Sequence, residues 1–233
     1  RTNFAPVKPT DKNIIMITAG GVGERFGASV PKQYVDIDGR KVIAYVIDAC
    51  RQSRLADAIV VVAHPNYHQE LVDEFGVDVA NSGSELNSTK RNGLDFIRQH
   101  SACQKVVVAD AVRPAVEGSV MDRFFTLLDE YDAVASARKI TDSLGCYNKW
   151  IVDREDYYTM FAPEGFRFGL IDKCFDGASP LTESIQQLPP TSKVFLDFSV
   201  PYYDKLTYPE DLVRIRAALK RQAGEYPLRP NPC

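Results

Sequence analysis

The sequence is poor in the residues and runs that mark several protein classes. It has five cysteines, Cys50, Cys103, Cys146, Cys174 and Cys233, widely spaced and with no C-x-x-C pair. An odd, scattered set argues against a disulfide framework or a cysteine-held zinc, and predicts reduced thiols in a cytosolic protein. Histidine is scarce as well. His64 and His68 lie about one helical turn apart, but Pro65 stands between them and no carboxylate or cysteine completes a ligand set. No Ser-His-Asp or Cys-His arrangement is legible from spacing. Long apolar runs are missing: Ile59–Ala63 and Val106–Ala109 are strand-sized, far below the ~20 residues of a membrane span. No secretory apolar region stands in the residues given, so the expected location is the cytoplasm, away from membranes. Positive charge is not in excess, with 28 Lys and Arg against 31 Asp and Glu. That argues against a general nucleic-acid binder and leaves room for a small basic pocket. No internal repeat or low-complexity tract interrupts the chain.

What is present is ordinary for a globular protein: 45% hydrophobic residues, with 14 Gly and 14 Pro in 233 residues. Residues 1–12 read as an extended lead-in and 222–233 as a loose tail, with a single domain over 13–221. Between these ends, short apolar runs alternate with amphipathic stretches. Ile14–Thr18, Ala58–Ala63, Val77–Ala80, Lys105–Ala109, Ala133–Ala137 and Ser192–Phe198 read as strands. Val42–Ser53 reads as a helix with Ile43, Val46, Ile47 and Cys50 on one face. Further helices are expected over Asn66–Phe75, Asn87–Gln99, Gly118–Tyr131, Glu164–Phe175 and Tyr208–Arg221. This alternation predicts an α/β fold with a mostly parallel, twisted sheet covered on both faces. Arg138–Arg154 breaks the rhythm and reads as strand, turn, strand. It predicts a hairpin arm whose Trp150 and Ile151 need a cover, such as a second subunit.

The sharpest chemical feature is ITAGGVGERFGASVPKQY, Ile17–Tyr34. A strand runs into a loop with Gly20, Gly21, Gly23 and Gly27, and the loop carries Arg25 and Lys32. Glycines let the backbone approach an anion, and the two cations suit phosphate oxygens. The loop lacks the G-K-[ST] of a Walker A motif, and Gly27 falls one residue too late for a dinucleotide fingerprint. The residues alone also allow a plain glycine-rich turn with two surface cations. Asp110, at the end of the Lys105–Ala109 strand, stands where parallel sheets bind ligands. A turn or helix-cap Asp is its simpler reading.

A-G-G-x-G-x-R-F-G followed by P-K-Q-Y resembles the signature loop of the cytidylyltransferases that act on 2-C-methyl-D-erythritol 4-phosphate or ribitol 5-phosphate. The resemblance continues through Asp110–Pro114, Val152–Arg154 and Lys205–Leu212, in the family's order, and so covers Asn13 to the final helix. It implies a Rossmann-like nucleotidyltransferase domain with a protruding β-hairpin arm at about 138–154, dimerised through that arm. It implies an enzyme of isoprenoid biosynthesis that joins CTP and a polyol phosphate into a CDP-polyol and pyrophosphate, with Mg2+. Methylerythritol phosphate is the first acceptor expected and ribitol 5-phosphate the second. The strings Asp36-Ile37-Asp38, Asp110-Ala111-Val112-Arg113-Pro114 and Asn87-Ser88-Thr89 look more like the ribitol branch.

Carried over position by position, the resemblance implies Lys32, Arg25 and Lys205 as catalytic cations. It implies Ala19, Gly20, Gly21, Gly23, Gly83, Ser84, Thr89, Asp110 and Ala111 around the nucleotide. Asp142, Ser143 and Arg154 on the arm, with Arg113, match the acceptor side. Arg113 could equally pair with Asp110, and Arg154 with Asp153 or Glu155. Asp110 matches the magnesium ligand. The second metal carboxylate of the family falls on Tyr202, and Asp204, two residues on, is its nearest substitute. Leu86, Ala109 and Glu164 stand where the family commonly has Arg, His and Gln. A reading of another class, a non-catalytic nucleotide-binding module, rests on Tyr202 and Leu86 alone.

Overall fold

The computed structural model describes residues 12–21, 26 and 30–225. Residues 1–11 of the lead-in and 226–233 of the tail, including Cys233, lie outside the described residues, as do Gly23, Arg25 and Gly27. Seven strands form one sheet in the order β5-β4-β1-β6-β8-β7-β9. They are β1 (Lys12–Ala19), β4 (Ala58–Ala63), β5 (Asp78–Asn81), β6 (Cys103–Asp110), β7 (Ala133–Lys139), β8 (Tyr158–Arg167) and β9 (Val194–Asp197). A two-stranded ribbon, β2 (Asp36–Ile37) with β3 (Arg40–Lys41), stands apart. β5, β4, β1 and β6 run parallel, β8 is antiparallel to β6 and β7, and β9 is parallel to β7.

Burial on both faces is visible within single strands. In β1, Ile15 and Ile17 belong to one apolar cluster, and Ile14 and Met16 to another. Alternate residues of a strand point to opposite faces, so a strand with two cores is apolar throughout. The first cluster is closed by α1 (Val42–Arg51), α2 (His68–Phe75) and α4 (Gly118–Leu127). The second is closed by α3 (Leu86–His100) and α5 (Phe168–Cys174). The α1 face of Ile43, Val46, Ile47 and Cys50 is fully buried, as its spacing predicts. The last helix, α6 (Asp211–Gln222), packs Ile215 with Ile37, Val42, Val112 and Leu206.

Three expectations need correction. The stretch from Glu164 is not the start of a helix. Glu164–Arg167 ends β8, which lies between β6 and β7, and only Phe168–Cys174 is helical. Burial of Phe161 and Phe166 in the sheet outweighs local helix propensity there. Pro209 lies before α6, not within it. The arm is not a regular hairpin at its tip. β7 and β8 pair from Ala133↔Phe166 to Lys139↔Tyr158 and form its base. Beyond them one isolated bridge, Cys146↔Lys149, joins the two sides.

Candidate active site

The carboxyl ends of β1, β4 and β6 open on a cleft of about 590 Å³. Lys32, Lys205 and Asp110 meet there with Ala19, Gly20, Gly21, Gly83, Ser84, Thr89 and Ala111. Residues far apart in sequence thus converge where a parallel sheet presents its strand ends.

The first wall is the β1 turn. Gln33 is buried, and its Nε2 donates to Ala19 O at 2.7 Å and Gly21 O at 2.9 Å. One carboxamide therefore pins the strand end and the first loop residues. Pro31, at φ −58°, leads into the short 3-10 turn Lys32–Tyr34. Tyr34 stacks on Tyr67 with ring centroids 3.8 Å apart. Lys32 is thus held between a clamp and an aromatic anchor. The P-K-Q-Y string was legible in the sequence. The clamping role of Gln33 was not, because its two acceptors are assembled only by folding.

The second wall is the segment before α3. A Cβ on Gly20 would lie 2.5 Å from Ser82 Cβ and 2.8 Å from Thr89 Oγ1. A Cβ on Gly83 would lie 2.2 Å from Ser88 Oγ. Both glycines are therefore demanded by close packing. Thr89 Oγ1 accepts from Gly83 N at 3.0 Å. Glu85 and Ser88 form a reciprocal capping box, with Glu85 N donating to Ser88 Oγ at 2.9 Å. The helix cap is thus Glu85. Ser84 and Glu85 both line the cleft.

The floor is ionic. Asp110 Oδ2 is 2.9 Å from Lys205 Nζ and 3.8 Å from Arg113 Nε. Burial pushes the Asp110 carboxyl up, and Lys205, Arg113 and Lys32 more than reverse it, leaving it below its ordinary value. Leu206 N donates to Val112 O at 2.8 Å and so seats Lys205 beside Asp110. Arg113 is buried, donates to the carbonyl of Tyr203, and faces the rings of Phe161 and Tyr202 at 5.7 and 5.6 Å. Its pairing with Asp110, one of its two readings, is present.

The remaining candidates lie elsewhere. Asp204 is not in the cleft lining, and its Oδ1 accepts from Arg214 Nε at 2.9 Å. Asp142, Ser143 and Arg154 are exposed on the arm and do not line the cleft of their own chain. Arg154 donates to Thr141 O at 2.6 Å and lies 3.4 Å from Glu155. Among the described residues, no three His, Cys, Asp or Glu side chains gather as a metal site. His64 lines the cleft, and its Nδ1 accepts from Asn66 N at 3.3 Å. His68 Nε2 pairs with Ala63 O at 2.9 Å. Among the described cysteines no disulfide forms, and burial pushes the Cys50 thiol up to about 12. No described helix is long and apolar enough to cross a membrane.

Solved structures share this architecture. The 4-diphosphocytidyl-2C-methyl-D-erythritol synthase of Anaerococcus prevotii superposes with a TM-score of 0.75 at 20% identity, over 91% of this chain and all of that one. The bifunctional IspDF of Campylobacter jejuni gives 0.76 at 21%, over 88% of this chain and 54% of that one. At such identities they show the fold alone, a Rossmann-like α/β domain. In sequence, the 2-C-methyl-D-erythritol 4-phosphate cytidylyltransferase of Porphyromonas gingivalis is 34% identical over 67% of this chain and 72% of its own length. The bifunctional ribulose 5-phosphate reductase/CDP-ribitol pyrophosphorylase Bcs1 of Haemophilus influenzae is 26% identical over 71% of this chain. The match spans only 38% of that longer protein. The family model of 2-C-methyl-D-erythritol 4-phosphate cytidylyltransferase (IspD) matches residues 13–188, and with the cleft described above it places this chain in that family of nucleotidyltransferases.

Proposed function

We propose that the chain transfers the cytidylyl group of CTP to a polyol phosphate, releasing pyrophosphate and giving a CDP-polyol. The observation that carries this reading is the meeting of Lys32, Lys205 and Asp110 at the strand ends, beside the glycine-lined turn. In the reaction, a phosphate oxygen of the acceptor attacks the α-phosphorus in line as the bond to the pyrophosphate oxygen breaks. No covalent enzyme intermediate is needed. Lys32 and Arg25 hold the triphosphate and offset charge as pyrophosphate leaves; Lys205 does so from the cleft floor. Gly83 and Ser84 offer backbone groups to the base, and Thr89 a hydroxyl near the triphosphate.

Magnesium fits a site with one carboxylate, since the ion commonly takes one or two carboxylates and completes its shell with phosphate oxygens and water. Asp110 is the carboxylate on the cleft floor, and its lowered pKa keeps it ionised. The bound ion would neutralise phosphate charge. Asp204, turned to Arg214, is the weaker candidate ligand.

Methylerythritol 4-phosphate is the acceptor proposed first, because the family model and the Porphyromonas relative carry that name. Ribitol 5-phosphate is the second reading, favoured by the Haemophilus relative. A homodimer through the arm accounts for Trp150 and Tyr147, which are fully exposed in the single chain, and would bring Arg154 to a partner's cleft. The test is incubation with CTP, magnesium and each polyol phosphate in turn, following pyrophosphate release. Release with methylerythritol phosphate above all others is expected. Preference for ribitol phosphate selects the second reading, and no release with any acceptor rejects the enzyme.

A further inference from the structure

Lys90 lies in the second turn of α3 and is 7% exposed. A lysine so placed needs a counter-charge. β8 supplies it through Glu164, 3% exposed and in register with Val108 of β6 and Ala135 of β7. Lys90 Nζ lies 3.3 Å from Glu164 Oε2 and donates to Ser184 Oγ at 2.8 Å. Ser184 Oγ donates in turn to Glu164 Oε2 at 3.0 Å. The triangle is closed and joins α3, β8 and the short 3-10 turn Ser184–Gln187. Glu164 Oε1 is buried without a hydrogen-bond partner, so Lys90 is the main compensation for this carboxylate.

A second tether runs beside the first. Asn87, one turn before Lys90, donates from Nδ2 to Ser179 O at 2.8 Å and Leu181 O at 2.6 Å. Asn87 and Lys90 thus bind one segment, 179–184, to the start of α3. Between them in sequence, Thr89 holds Gly83 and abuts Gly20 on the cleft side. The position of the helix start sets the second wall of the cleft. Glu183 adds to the charge balance. Burial and then the negative charge of Glu164 raise its carboxyl pKa, while Lys90, Lys205 and Arg113 oppose the rise. Removing Lys90 would leave two carboxylates facing each other under the helix start.

We propose that Lys90, Glu164 and Ser184 form a buried clamp that positions the nucleotide-facing start of α3, so that CTP affinity depends on the charge match between Lys90 and Glu164. The proposal rests on the cytidylyltransferase reading above. None of the three residues lines the cleft, so they are positioning residues, not catalytic ones.

The test compares the full chain with Lys90→Met, Glu164→Gln and the double variant. CTP binding with magnesium is measured by calorimetry, and kcat and KM by pyrophosphate release. Lys90→Met is expected to weaken CTP binding roughly tenfold while kcat at saturating CTP changes less than about threefold. Glu164→Gln added to Lys90→Met is expected to return the affinity to within about threefold of wild type, since no buried charge is then left alone. Unchanged CTP affinity in Lys90→Met overturns the proposal, as does a double variant no better than Lys90→Met. If Lys90→Met fails to fold, the double variant decides. Folded with near-wild-type affinity, it supports the clamp; unfolded or roughly tenfold weaker, it overturns it. A wild-type chain that neither binds nor consumes CTP is a different result. It rejects the cytidylyltransferase reading and this role together.

Discussion

Gly20 illustrates how one residue constrains the cleft. It sits at the end of β1, where any side chain would meet Ser82 and Thr89, and Thr89 is itself bonded to Gly83. Ser82 is tied too, its N–H donating to Ala63 O at 2.8 Å. A side chain at Gly20 thus forces one of these tied neighbours to shift. Gly20→Ala should therefore leave the fold intact but push the two cleft walls apart, at a cost of about 1–3 kcal/mol at the site. CTP KM should rise roughly tenfold or more, on the scale of 1.4 kcal/mol per tenfold. Steady-state kinetics at fixed acceptor measures it, and an unaltered KM would remove Gly20 from the nucleotide wall. The glycine was legible as part of a phosphate-type loop. Its steric reason was not, because Ser82, just after β5, and Thr89, in α3, reach it only when the sheet and its helix assemble.

Among the elements, the loop that carries Lys205 is fastened by the helix that follows it. Asp211, the first residue of α6, is buried, and its Oδ2 accepts the N–H groups of Thr207 and Tyr208, each at 2.8 Å. Arg214 donates to its other oxygen at 2.6 Å. Burial raises the Asp211 carboxyl, and the Tyr208 and Thr207 amides with Arg214 bring it below its ordinary value. Asp211→Ala removes the acceptor for two amides and should cost about 1–2 kcal/mol, the scale of a lost cap. A carboxyl with a lowered folded pKa stabilises fully above its unfolded value, and this is lost as pH falls through the folded one. The gap between wild type and Asp211→Ala should thus be constant near neutrality and close in acid, below the ordinary carboxylate range. Urea denaturation across pH reads it, and a gap that widens in acid would contradict the assignment. The elements themselves were mostly legible, α1 and β6 best, because period and β-branching are local. β8 was missed because its strand character comes from the two neighbours it pairs with, not from its own sequence around Pro163 and Gly165.

For the whole molecule, the proposed dimer makes each cleft depend on two chains. Lys32 lines the cleft, while Arg154 stands exposed on the arm of the same chain. A two-fold arrangement gives one arm and receives one at each site. Lys32→Ala and Arg154→Ala homodimers should both be nearly inactive, for want of a charge-stabilising group or an acceptor anchor. Unfolded together and refolded, they pair at random, and about half of the dimers are mixed. Each mixed dimer has one intact site, so about a quarter of wild-type activity should return. If Arg154 serves its own chain, every site keeps a lesion and the mixture stays inactive. Light scattering of the wild type gives an independent check, and a monomer at assay concentration would reject the exchange.

The sequence by itself determined the α/β alternation, the glycine turn with P-K-Q-Y and the family membership, because these rest on neighbours along the chain. It also marked Asp110 and Lys205, each through its own short string. Only the tertiary structure brought Lys205 to 2.9 Å from Asp110, turned Asp204 to Arg214 and set Gln33 across the carbonyls of Ala19 and Gly21. It alone paired Lys90 with Glu164, two buried charges far apart in the chain. Such contacts depend on the order of strands in the sheet and the side each helix covers. Those are settled by burying two apolar faces at once, a condition the whole chain meets together and no local string records.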